Sequence, residues 1–338
     1  MTEVAKAAGV SQSTVSRVVN GRSFVGEKTR HRVHEAMERL GYTPQPPDRR
    51  PGRDPVPEVR PRSGLLAVLV NRDATIIHSD FVARLYRNVQ VEANRSGFST
   101  ILHFLSGDLA LPELFDRVDA FLIVGSPSDT FPKIVWSRPV IWLTSFQKRN
   151  EASIITGNEE VGQLGAEYLI KRGHQRLAVF LPESENPSYQ ARGTAFQTAA
   201  SERGIAVRSY ATPTKKGDRP TGVSSIADLE ARTASLVDRF GKETEPATGI
   251  FSPADATTAL LYRLFQQRGI HPGKDIEIIS CDNEQSYLAG LTPRPATIDL
   301  GTEIRARLAV QHLVANLESD QLTQGLRLEI DPILVEGD

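Results

Sequence analysis

The chain has 338 residues, 39% apolar and 24% charged, with 40 Lys+Arg against 41 Asp+Glu. That length allows two or three domains with a sizeable core, and a single cysteine, Cys281, excludes an internal disulfide. No apolar run approaches the roughly 20 residues of a membrane span and the polar, helical N-terminus has no signal-peptide pattern, so a cytoplasmic protein is expected. The balanced total hides a polarity: residues 1–63 carry 12 Lys+Arg and 7 Asp+Glu, the remainder 28 and 34. A basic head on an acidic body suits a protein that offers one end to phosphate and keeps the rest away from it.

Residues 2–42 read as three short helices. Ala5, Ala8, Val10, Val15, Val18 and Val19 recur at helical spacing on either side of Gly9-Val10-Ser11, a short turn between two helices in helix-turn-helix order. Gly9 relieves the turn, and Ser11 is placed to cap the second helix with its hydroxyl. That helix opens with Gln12, Ser13, Thr14, Ser16 and Arg17. These side chains suit base edges and phosphates in a major groove, and they propose sequence-specific DNA binding. A small Ala/Val core without a DNA role is the alternative, and the polar character of the opposite face weighs against it.

Residues 43–63 hold seven prolines and five arginines, which rules out a regular helix and predicts an extended linker. From Leu65 the pattern changes. LLAVLV predicts a strand, Phe81, Leu85, Val89 and Ala93 predict a helix stopped by Gly97, and STILHFL, AFLIVG and VIWLTSF predict further strands. Helices over Val161–Arg172, Ala191–Arg203 and Ala256–Arg268 then alternate with strands in LAVFLP, GIFSP and IEIISCD. Apolar strands alternating with helices predict an α/β body with parallel sheets covered on both faces. The expected division is a head at 1–44, a Pro/Arg-rich linker at 45–63 and a body at 64–338.

The run AAGVSQSTVSRVVN followed by VGEKTRHRVHEAMERLGYTP resembles the head of the LacI/GalR family of bacterial transcription regulators. IITGNEEVGQLGAEYLIKRGHQRLAVFLP, RGTAFQTAASERGI, ATGIFSPADATTALLYRLFQQRGIHPGKDIEIISCDNEQ and TPRPATIDLG are similar to segments of that family's periplasmic-binding-protein-like effector domain. The resemblance implies two Rossmann-like parallel-sheet subdomains, three strands crossing between them, and a ligand cleft at their junction. It also implies a homodimer, because two-fold operator half-sites call for a two-fold protein. LRLEIDPILVEGD at the C-terminus has no heptad tail, so a tetramer is not expected. Met1 falls inside the family's first-helix region, so either Thr2 replaces the usual cap or the start lies upstream.

The resemblance assigns residues to roles. Gln12 and Ser13 match the main base-reading positions and Arg17 a third, while Thr14, Ser16, Asn20 and Thr29 are expected on phosphates. The linker departs from the family: Gln45 to Arg53 has neither the Ala nor the Leu of the usual hinge helix and too much proline to form it. Arg49, Arg50 and Arg53 are expected to line the minor groove as an extended basic arm, or else to serve as a solvated spacer. In the body, Arg192, Asp282 and Asp255 match effector-binding positions, with Asn158 and Phe81 as further candidates. A carboxylate and a guanidinium beside an aromatic wall suit a sugar; a nucleobase is the other effector the family implies. Cys281 stands where an aromatic is common, and on its own reads as a buried core thiol.

The seven histidines show no metal spacing, and there is no nucleophile elbow or Gly-rich phosphate loop after a strand. Neither catalysis nor a cofactor or metal is expected. The favoured function is a ligand-responsive transcription regulator, a repressor by family habit, associated with the nucleoid when on operator. A small-solute binding protein without a DNA role is the alternative that the body alone would allow.

Overall fold

In the computed structural model, which describes residues 2–19, 25–42, 62–71, 80–105, 113–125, 131–144, 152–213, 225–319 and 325–338, the chain divides into two units, Met1–Pro61 and Arg62–Asp338. The smaller holds α1 (Thr2–Ala8), α2 (Gln12–Val19) and α3 (Glu27–Arg39). Their apolar faces close on one another: Val4, Ala5 and Ala8 of α1 meet Val15 and Val18 of α2 and Val33 of α3. The α2 N-terminus is capped as expected, the Thr14 amide donating to Ser11 Oγ at 3.2 Å. Gly9, at φ +60°, takes the left-handed turn that a Cβ would disfavour. Arg32 of α3 pins that turn from outside, its Nη2 donating to the carbonyls of Ala8 (2.5 Å) and Gly9 (3.1 Å).

The larger unit begins with β1 (Leu65–Asn71), α4 (Asp80–Arg95), β2 (Ser99–Phe104), a single 3-10 turn at Glu113–Arg117, β3 (Ala120–Gly125), α5 (Lys133–Trp136), β4 (Val140–Trp142) and β5 (Ala152–Thr156). It continues with α6 (Asn158–Lys171), β6 (Leu177–Leu181), α7 (Pro187–Ser201), β7 (Val207–Ala211), α8 (Ile226–Phe240), β8 (Gly249–Phe251) and α9 (Asp255–Gln266). Then come β9 (Glu277–Cys281), α10 (Gln285–Leu288), β10 (Ala296–Asp299), α11 (Thr302–Ser319), β11 (Arg327–Ile330) and β12 (Ile333–Val335). The described strands form two sheets, in the orders β11-β5-β4-β3-β1-β2 and β12-β10-β9-β8-β6-β7. Every pairing is parallel except β12 with β10. The chain therefore changes sheet three times: between β5 and α6, between β10 and α11, and between β11 and β12.

The inner strands of each sheet are buried on both faces, which is why β1, β3, β6 and β8 are apolar along their length, whereas the edge strands β7 and β11 carry exposed polar residues. In β1, Leu66, Val68 and Val70 join the core beneath α4 and α11, whereas Ala67 and Leu69 pack on the other side with Phe115 and Phe121. The second sheet is sandwiched in the same way, Val179 and its β8 neighbour Phe251 packing with Phe196 of α7, and Ala178 and Phe180 packing with Phe240 and Phe265.

Helix limits differ from the sequence expectations at their polar first turns. The expected Ala191–Arg203 helix is α7, which runs Pro187–Ser201. Asn186 caps it, its side chain accepting from the Ser188 amide at 3.1 Å, and Pro187 fits the first helical position because its missing N–H costs nothing there. The helix expected from Val161 starts at Asn158, with Glu159 and Glu160 in its first turn, where acidic groups complement the helix dipole. Of VIWLTSF, only Val140–Trp142 is strand among the described residues.

Candidate DNA-reading face and effector cleft

In the smaller unit the core consumes Val15 and Val18, which fixes the outward face of α2. Gln12 is exposed there and Ser16 half-buried. Thr14 is half-buried and its hydroxyl shares a 2.9 Å hydrogen bond with that of Ser11, so the cap already engages it. Ser13 and Arg17 belong to α2, but their side chains lie outside the described residues, as do Asn20, Arg49, Arg50 and Arg53. Thr29 sits half-buried in the first turn of α3. Two short helices with a pinned turn hold the start of α2 as one rigid outward edge.

In the larger unit the site is assembled where the sheets exchange chain. Asn158 follows the first change of sheet, and its Oδ1 accepts from Arg192 Nε at 3.0 Å. Arg192, on α7 and 5% exposed, also donates from Nη1 to the Pro253 carbonyl at 2.7 Å and reaches Asp282 Oδ1 at 3.4 Å. Asp282 follows β9 immediately, at the carboxyl end where open α/β sheets place ligands. It and Asn283 have φ of +100° and +53°, regions that non-glycine residues enter only when their surroundings hold them there.

The surroundings do hold them. Arg84 of α4 donates from its two Nη atoms to the carbonyls of Asp282 and Asn283, both at 2.5 Å. The Asn283 amide donates to Thr297 Oγ1 (3.2 Å), whose hydroxyl donates to Asp255 Oδ1 (3.0 Å), and the Glu284 amide donates to Asp255 Oδ2 (2.6 Å). Asp255 is fully buried, so its place is beneath the turn that presents Asp282. Phe81 packs against the cores of both sheets, and the Arg305 guanidinium stands 5.7 Å from its ring centroid. The five candidates Phe81, Asn158, Arg192, Asp255 and Asp282 thus gather at one junction, two of them touching Arg192 directly.

Burial opposes the charge of Arg192, but Asp282, Cys281 and Tyr189 outweigh it and hold the guanidinium above its ordinary range. Burial pushes Asp282 up against the opposing pull of Arg192 and Arg84. Burial and then the nearby Asp282 carboxylate raise Asp255 to about 7. Burial, then Asp282 and Asp255, raise Glu284 to about 9. Carboxylates crowded into a dry site cannot all ionise. Burial also pushes the Cys281 thiol well up, so it behaves as a core side chain.

Arg84, Glu284, Thr297 and Arg305 complete the site, and sequence reasoning missed them all. For Arg305 the signal in the sequence is weak: it lies one turn before Ala309 on a face of α11 that is otherwise apolar, with Ala306, Ala309, Val310 and Leu313 in the core. Among the described residues no group of three or more His, Cys, Asp or Glu could hold a metal, and no helix is long and apolar enough to cross a membrane.

Residues 1–45 match the lacI family of bacterial regulatory proteins, and residues 166–338 match the periplasmic binding protein-like domain. The ribose operon repressor of Escherichia coli (strain K12) is 24% identical over 349 residues, covering 99% of this chain and 98% of its own. Among solved structures, a complex of the transcriptional regulator CelR with cellobiose has a TM-score of 0.66 at 20% identity, covering 99% of this chain and 98% of its own. The lac repressor dimer bound to operator and the anti-inducer ONPF has a TM-score of 0.62 at 22% identity, covering 99% and 96%. At such identities the structural likeness speaks for the fold, and the family matches for the kind of protein. The chain belongs to the LacI family of bacterial regulatory proteins and is a ligand-responsive, DNA-binding transcription regulator rather than an enzyme.

Proposed function

We propose that the protein is a repressor that binds a palindromic operator as a homodimer and answers to a small sugar-like effector held at the junction of its two sheets. The observation that carries this reading is the buried Arg192–Asp282 pair at the carboxyl end of β9, in a chain whose first unit is a helix-turn-helix. A relative named for the ribose operon and a fold neighbour bound to cellobiose support a carbohydrate effector. The neighbour described as a dimer on operator supports the two-fold assembly. Such a protein acts in the cytoplasm, at the nucleoid while on operator.

Gln12, Ser13 and Arg17 read bases from the start of α2, while Thr14, Ser16, Asn20 and Thr29 set register on phosphates. Arg49, Arg50 and Arg53 follow the minor groove in place of a hinge helix. Arg192 and Asp282 contact the effector, with Phe81 as its apolar wall; Asn158 orients Arg192 and Asp255 steadies the turn. The effector couples to DNA by changing the relative disposition of the two sheets, a linkage free energy that both ligands share equally.

The test is selection of bound DNA from a random pool at fixed salt, followed by gel shift on the enriched site. Two short inverted half-sites are expected, with Arg17→Ala and Gln12→Ala each losing ~1–3 kcal/mol of discrimination. Arg49, Arg50 and Arg53 replaced together by Ala should weaken the enriched site more than random DNA. Enrichment of no sequence, with only salt-sensitive bulk binding, refutes the reading.

A further inference from the structure

Among the described residues the junction holds more positive charge than carboxylates to pair with it. Three arginines converge there, Arg84, Arg192 and Arg305, and among the described residues only Arg192 of the three forms an ion pair with a carboxylate. Arg84 is spent on two backbone carbonyls. Arg305 is 3% exposed; its Nη1 donates to Thr156 Oγ1 at 3.3 Å and its Nη2 to the Leu143 carbonyl. Its Nε is buried with no partner among the described residues. Among the described residues the charges acting on it are those of Arg192, Asp282 and Arg84, and burial first, then Arg192, pushes its guanidinium down to about 10. The two other acids of the site, Asp255 and Glu284, are held towards their neutral forms and offer it little compensation.

A buried cation without a counter-ion is unfavourable, and an unsatisfied N–H adds to that. Arg305 stands over the Phe81 ring at the carboxyl ends of β4 and β5, where an α/β sheet receives ligands. Were its task only to fasten α11 to Thr156 and Leu143, neutral donors would do it without the charge. A guanidinium is the planar fork that matches the oxygens of phosphate and carboxylate. We infer that the effector bears an anionic group, a phosphate or a carboxylate, which Arg305 receives at the junction of β4, β5 and α4. This rests on the cleft reading above and narrows its ligand to a sugar phosphate or a sugar acid.

The test uses the full chain in calorimetric titration and thermal unfolding. The probes are ribose, ribose 5-phosphate and ribonate, then glucose, glucose 6-phosphate and gluconate, and inorganic phosphate alone. Inorganic phosphate should raise the wild-type melting temperature and leave Arg305→Met unmoved, with Arg305→Lys between them. In the sugar series that binds, an anionic member should bind about tenfold or more tightly than its neutral parent, and Arg305→Met should abolish that preference. The phosphate and acid arms tell the two anion sources apart. Without ligand, Arg305→Met should melt at or above wild type, because it removes an uncompensated charge. Phosphate that shifts both proteins equally overturns the inference, as does a wild-type protein that neither phosphate, a sugar phosphate nor a sugar acid shifts. A neutral sugar that depends on Arg192 but binds as well as its anion also overturns it, yet leaves the cleft reading standing. A sugar that binds Arg192→Ala as well as wild type refutes the cleft reading itself.

Discussion

Replacing Gly162 by alanine tests whether the close contact of α6 with α7 positions Arg192. A Cβ at 162 would fall 2.7 Å from both the Ala195 Cβ and the Phe196 backbone nitrogen, and closer still to the Arg192 carbonyl oxygen. Two of those three atoms are backbone, so no rotamer change relieves them and α7 must move. Overpacking of this kind costs about 1–3 kcal/mol, and a clash against backbone belongs at the upper end. Against it stands the helix propensity gained on leaving glycine, about 1 kcal/mol. The net expectation is a loss of about 2 kcal/mol, which lowers the melting temperature by roughly 4–8 °C in a unit of this size. Because α7 carries Arg192, effector affinity should fall as well. Gly290, where an added Cβ would meet nothing within 4 Å, is the control, and Gly290→Ala should stay within about 0.5 kcal/mol of wild type. Thermal unfolding and titration of the two variants make the comparison. A Gly162→Ala protein melting at or above wild type would refute the argument that this helix pair is in backbone contact.

Asp255→Asn should change the pH dependence of stability. The folded-state value of Asp255 is raised to about 7 from an ordinary 3.8, so the stability its protonated form contributes is fully present below about pH 4 and is lost as pH rises through 7. Three units correspond to on the order of 4 kcal/mol, and denaturant titrations should show the variant gaining on wild type between pH 4 and 8; a difference independent of pH counts against the assignment. At Glu277 burial pushes the carboxyl up, but bonds from His174 (2.7 Å), Arg172 and Tyr168 (2.8 Å) outweigh it and hold it below its ordinary value. Glu277→Gln should therefore cost about 2–3 kcal/mol near neutral pH, a loss that shrinks as pH falls through the carboxylate range, measurable by urea denaturation. Arg32→Ala frees the turn between α1 and α2 and should cost the smaller unit about 1–2 kcal/mol. Gel shifts should then show specific-site affinity down by about tenfold, whereas unchanged affinity would mean that the turn holds without its pin.

The DNA-reading unit was legible because it is local. Ser11, Gly9, the Ala/Val spacing and the polar opening of α2 all act within a few residues of one another, so the chain order contains the geometry. The same holds for the alternation of strands and helices in the body, since a doubly covered strand must be apolar along its whole length, as LLAVLV and AFLIVG are. Helix starts were less legible. Asn158 and Pro187 are polar or breaking by composition, and only the cap and dipole make them the first residues of α6 and α7.

The site is the opposite case. Arg192, Asp282 and Asp255 were found by resemblance, but what they do depends on partners far away in sequence: Arg84 reaching Asp282, Thr297 relaying Asn283 to Asp255, and Asn158 orienting Arg192. Arg305 looks like one more charge on an ordinary helix until three changes of sheet bring Thr156, Leu143 and Arg192 around it. Periodicity and capping are short-range forces that a linear sequence displays. Burial of charge is a property of the closed fold, because whether a guanidinium meets water, a carboxylate or another guanidinium is decided only when distant segments pack.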